Sequence, residues 1–100
     1  MKHDKYTSVY ELVCKVILEF NVELDAKIDT VSGPNTRLFG GDAPLNSLEL
    51  VTLIVYIEEE LEVSLGHSIT LANDRAMSRR VSPFSTIGIL VDYIVELISE

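Results

Sequence analysis

Apolar residues return at steps of three and four between Val9 and Phe20. Val9, Leu12, Val13, Val16, Ile17 and Phe20 fall on one stripe, the spacing of a helix with one face against a core. A capping box, Ser8-Val9-Tyr10-Glu11, predicts the start of this helix and leaves residues 1–6 as a loose extension. Periodicity then lapses over 21–45, where Ser32-Gly33-Pro34-Asn35, Gly40-Gly41 and Pro44 signal a long loop pinned by Ile28, Val31, Leu38 and Phe39. A second helix is predicted from an Asn46 N-cap, with Glu49 in its first turn, to about Leu61. Its polar stripe is narrow (Glu49, Thr52, Tyr56, Glu59, Glu60), so most of it is expected to be buried, with the Tyr56 ring at the surface. Leu71 to Arg80, behind Thr70 and before the Ser82-Pro83 breaker, suggests a short third helix. The last helix is capped by Ser85 or Thr86. It turns Gly88, Asp92 and Glu96 outward and Ile87, Leu90, Val91, Ile94 and Leu97 inward. The pattern predicts one all-α domain over residues 1–100: a bundle of three long helices and one short third helix, with a long loop between helices 1 and 2.

Composition supports a folded domain. Hydrophobic residues make up 47% of the sequence, which argues against disorder, and a chain of 100 residues can bury roughly 60–70% of the surface that its unfolded form exposes. The longest apolar run, Leu53 to Ile57, is far short of the roughly 20 residues of a membrane span, and the first residues lack a signal peptide's apolar stretch. A cytoplasmic monomer without a membrane partner is therefore expected. A net charge of −8 repels nucleic acid and attracts basic protein surfaces. The charge is uneven: residues 47–62 hold five glutamates and no base, whereas 63–80 hold Arg75, Arg79 and Arg80 against Asp74. Cys14 is the only cysteine and reads as a small packing residue without a histidine partner, while His3 and His67 stand apart, so neither a disulfide nor a metal site is expected.

No phosphate loop, nucleophile elbow or carboxylate pair stands out, and an enzyme is not expected. The informative stretch is Leu45-Asn46-Ser47-Leu48-Glu49-Leu50-Val51, which sets the Ser47 hydroxyl at a helix start directly after a long loop. A phosphate on that oxygen would lie near free backbone amides and the positive end of the helix dipole. Taken alone, a serine in this position is most often a capping or first-turn residue. The stretch nevertheless resembles the Asp-Ser-Leu motif of phosphopantetheine-binding acyl carrier proteins, together with their acidic, apolar second helix through Glu58-Glu59-Glu60-Leu61. The layout is similar to that family from about residue 8 to residue 98 and implies its four-helix acyl-carrier-like bundle.

The resemblance implies a covalent 4'-phosphopantetheine on Ser47, flanked by Asn46 and Leu48 and donated from CoA by a phosphopantetheinyl transferase. It implies an arm that carries an acyl or aminoacyl group as a thioester. Glu49, Thr52, Tyr56, Glu58 and Glu59 would meet basic patches on acyl-activating and acyl-transferring enzymes. The longer segment around Leu71 to Phe84 is similar to specialised discrete carriers of bacterial biosynthetic pathways. Two positions depart from the pattern: Asn46 stands where the family usually has aspartate, and Pro44 where many members have glycine. A second reading follows from Asn46, that of a carrier-like interaction module that docks through the same acidic helix and is never loaded. The apolar faces of the second and last helices suit either a plain core or one that opens to an acyl chain.

Overall fold

The computed structural model describes residues 2–24, 27–71 and 82–99, with side chains from residue 5 onward. Helix α1 spans Lys2–Phe20 and buries all six residues of the predicted stripe. It begins before the Ser8 box, so Ser8 lies inside the helix and residues from Lys2 belong to it. Nothing between His3 and Thr7 breaks a helix, and Tyr6 stacks edge-to-face on Tyr10 one turn later, with ring centroids 6.2 Å apart.

The connection from α1 is ordered by side chain to backbone pairing. A 3₁₀ turn, Asn21–Glu23, follows α1 directly. The Asn21 amide then donates to the Ile28 carbonyl (2.9 Å), and its oxygen accepts the Ile28 N–H (2.8 Å), which directs Ile28 into the core. Asp29 caps a second 3₁₀ segment, Thr30–Asn35, which kinks at Gly33 where φ is +60°. Leu38 is buried and Phe39 packs on the core as predicted, but Val31, second in the 3₁₀ segment with its N–H donating to the Asp29 carboxylate (3.0 Å), is exposed.

Helix α2 spans Ser47–Leu65 and buries Leu50, Leu53, Ile54, Ile57 and Leu61, one stripe against α1. It outruns the predicted end by one turn and stops at Gly66, whose φ of +72° turns the chain away. Helix α3 spans Ile87–Ile98, with Thr86 as its cap: the Thr86 hydroxyl accepts the Ile89 N–H (3.2 Å). Ile87, Leu90, Val91 and Ile94 are buried and Leu97 partly so. Gly88 is not an outward-facing position, because a Cβ there would lie 2.9 Å from both the Cβ and the carbonyl oxygen of Pro34.

Both α2 and α3 pack extensively on α1, and α3 also packs on the Thr30–Asn35 segment. A Cα radius of gyration of 12.6 Å is that of a compact chain of this length. The chain is therefore all-α and compact, with no strand among the described residues and two isolated bridges, Arg37 with Thr86 and Phe39 with Leu45. The predicted third helix lies mostly outside the described residues, as do Arg75, Arg79 and Arg80. None of the described helices is long and apolar enough to cross a membrane.

Candidate functional site

Main-chain bonds fix where α2 begins. The Leu38 N–H donates to the Ser85 carbonyl (2.8 Å), the Ile87 N–H to the Thr36 carbonyl (3.0 Å), and the Leu45 N–H to the Leu38 carbonyl (3.2 Å). The loop before Ser47 is thereby tied to the start of α3, and the end of that loop is held at Leu45, itself buried.

Asn46 and Glu49 then form a reciprocal capping box. The Asn46 side-chain oxygen accepts the Glu49 N–H (2.8 Å), and the Glu49 carboxylate accepts the Asn46 N–H (3.0 Å). Both side chains are consumed in starting the helix, so Glu49 serves first as a cap. Ser47, the first helical residue, is exposed, and its hydroxyl has no hydrogen-bond partner among the described residues. A group attached there would meet no competing bond and would sit at the positive end of the α2 dipole.

Leu48 stands beside it, 75% exposed. Val51 and Val55 continue the same line at 56% and 42%, followed by exposed Glu59 and Glu62. This corrects the expectation that most of α2 is buried. Only the stripe Leu50, Leu53, Ile54, Ile57 and Leu61 is buried, and the apolar positions off that stripe are exposed. Val51 and Val55 escape sequence reading because they look like core residues. The available signal is that the 19-residue helix carries far more apolar positions than one stripe needs.

The predicted docking residues divide. Thr52 is half-buried, with its hydroxyl donating to the Leu48 carbonyl (3.0 Å). Tyr56 reaches the surface as predicted and packs edge-to-face on Phe20 at 5.6 Å, on the flank toward α1. Glu59 is exposed. Glu58 is half-buried, and its carboxylate accepts the Leu71 N–H (2.6 Å) while the Tyr93 hydroxyl donates to the Leu71 carbonyl (2.8 Å). Glu58 therefore anchors the buried Leu71. Tyr93, 1% exposed and stacked on Phe84 at 6.3 Å, completes the anchor and was not foreseen.

Cys14 and Glu60 titrate away from their ordinary values. Burial pushes the Cys14 thiol above its ordinary value, against a smaller opposing effect of a hydrogen bond from Tyr10. Glu60 is held below the usual carboxylate range, first by the Ser64 hydroxyl and then by Lys15, its ion-pair partner at 3.2 Å. Among the described residues, no three His, Cys, Asp or Glu side chains converge as a metal site. No protein-family model, curated protein or solved structure matches the chain.

Proposed function

We propose that this chain is an acyl carrier, non-enzymatic in itself, that bears 4'-phosphopantetheine on Ser47 and presents its cargo to partner enzymes. The observation that carries the reading is an exposed serine hydroxyl, without a partner among the described residues, on the first residue of a firmly capped helix. The motif around it resembles that of the carrier family, and the all-α layout suits that family's bundle. When bound, the arm supplies a terminal thiol that holds an acyl group as a reactive thioester. The chain's own residues hold the attachment point still: Asn46 and Glu49 stop the first turn from fraying, and the Leu38 and Leu45 bonds fix the preceding loop. Leu48, Val51 and Val55 then offer an apolar strip running from Ser47, with Glu59 and Glu62 beyond it for a basic rim on a partner. A specialised biosynthetic pathway in a bacterial cytoplasm is the setting that the resemblance suggests.

Asn46 supports a second reading, an unloaded interaction module. Its amide keeps the capping bond of the aspartate usual at this place in the family but offers a transferase no charge. Incubation with CoA, Mg²⁺ and a broad-specificity phosphopantetheinyl transferase separates the two. The carrier reading expects a gain of one phosphopantetheine in intact mass, abolished by Ser47→Ala. An unmodified mass under conditions that load a control carrier, with no rescue by Asn46→Asp, overturns it and leaves the interaction module.

A further inference from the structure

The C-terminal halves of α1 and α2 enclose a groove of about 340 Å³ whose floor is apolar, formed by Val16, Phe20, Tyr56 and Val63. Its rim is acidic, with Glu19 and Glu23 on one side and Glu59 and Glu60 on the other. Val16 and Phe20 are buried, whereas Val63 is 81% exposed, so the floor rises into a bare apolar edge. The groove runs from Tyr56 to Val63, about 14 to 24 Å along the helix from Ser47 at 1.5 Å per residue, which separates it from the carrier serine.

The rim is undercompensated. Lys15 pairs with Glu60 at 3.2 Å. Lys27, the other cation in this part of the chain, is engaged by the Asn21 and Leu24 carbonyls at 2.7 Å each. Glu19, Glu23 and Glu59 thus face the groove without an ion-pair partner among the described residues. The perpendicular packing of Phe20 and Tyr56 places two π-systems in the floor, which suits a cation as well as an apolar side chain.

We infer that this groove docks a basic amphipathic segment of a partner protein, with one apolar side chain seated on Phe20, Tyr56 and Val63. Arginine or lysine residues one helical turn to either side pair with Glu19, Glu23 and Glu59. The apolar floor sets this occupant apart from a polyamine or a metal ion, either of which would leave Tyr56 and Val63 in water. The site does not depend on Ser47 or on its loading.

The test is an amide chemical-shift titration of the full ¹⁵N-labelled chain with a synthetic helical peptide carrying a central leucine and arginines three and four residues to either side. Saturable shifts concentrated at residues 16–23 and 56–63 are expected, with a Kd below about 1 mM, unchanged by Ser47→Ala. Glu19→Lys/Glu23→Lys should weaken binding about tenfold, since two pairs become repulsions, while Asp42→Lys/Asp92→Lys, with the same change in net charge, should weaken it far less. Val63→Asp, at an exposed position where folding is safe, should also lower affinity. Absence of saturable binding, equal losses from the two lysine pairs, or shifts centred on residues 47–55 would each overturn the assignment.

Discussion

Glu58 and Glu59 are neighbours in sequence, and the structure gives them different work, so their alanine variants should part sharply. The Glu58 carboxylate accepts the N–H of Leu71, a residue with no exposed surface, at 2.6 Å. Hydrogen bonds to charged groups contribute about 1.5–3 kcal/mol, and a half-buried carboxylate belongs near the lower end, about 1.5 kcal/mol. For a domain of this size each kcal/mol moves the melting temperature by about 4–8 °C, so Glu58→Ala should lower Tm by about 6–12 °C. Glu59→Ala, at an exposed position, should stay within about 0.5 kcal/mol of the parent. Glu58→Gln keeps an acceptor and should recover part of the loss, while Tyr93→Phe, which removes the hydroxyl donor to the Leu71 carbonyl, should destabilise by about 0.5–1.5 kcal/mol. Because both groups hold the same residue, Glu58→Ala and Tyr93→Phe should combine non-additively. Thermal melts followed by circular dichroism measure all of this. Indistinguishable melting temperatures for Glu58→Ala and Glu59→Ala would refute the anchor. The same reasoning makes Glu59, and not Glu58, the clean probe of partner docking, since its loss should alter affinity without altering the fold.

Three further outcomes follow from the fold. Asn46→Ala should cost about 1 kcal/mol and speed amide exchange at residues 47–50, whereas Asn46→Asp, which retains the cap, should not destabilise; hydrogen-exchange mass spectrometry checks both. Gly88→Ala gains about 1 kcal/mol of helix propensity but drives a methyl to within 2.9 Å of the Pro34 carbonyl oxygen, an overpacking cost of about 1–3 kcal/mol, so a rise in urea midpoint would contradict the contact. Burial raises the Tyr6, Tyr10 and Cys14 pKa values above 10.0, 10.0 and 9.0. Their contribution is therefore complete below those values and lost as pH rises through the higher folded ones. Urea midpoints should hold from pH 7 to about 9 and decline above it, and a Cys14→Val variant should decline less steeply.

The α1 stripe, the Asn46 cap and the Thr86 cap were legible because each depends on residues within a turn or two of one another. Helix periodicity and capping are local chemistry, and tertiary contact did not override them at these places. The start of α1 was misplaced for a related reason: Ser8-Val9-Tyr10-Glu11 satisfies the local rule for a beginning, yet nothing upstream stops the helix. Ser47 was identifiable as the first residue of a helix after a loop, and its family meaning rested on resemblance.

What tertiary structure alone decided is which apolar and which acidic residues of α2 face water. A linear sequence shows that Leu48, Val51 and Val55 are apolar and that Glu58 and Glu59 are acidic, but not that α2 presents one stripe to α1 and leaves the valines bare. Nor does it show that Leu71 arrives from 13 residues further along to take up Glu58, or that Pro34 closes on Gly88. These outcomes depend on contacts between distant segments, and burial is a property of the whole packed chain and not of any window within it.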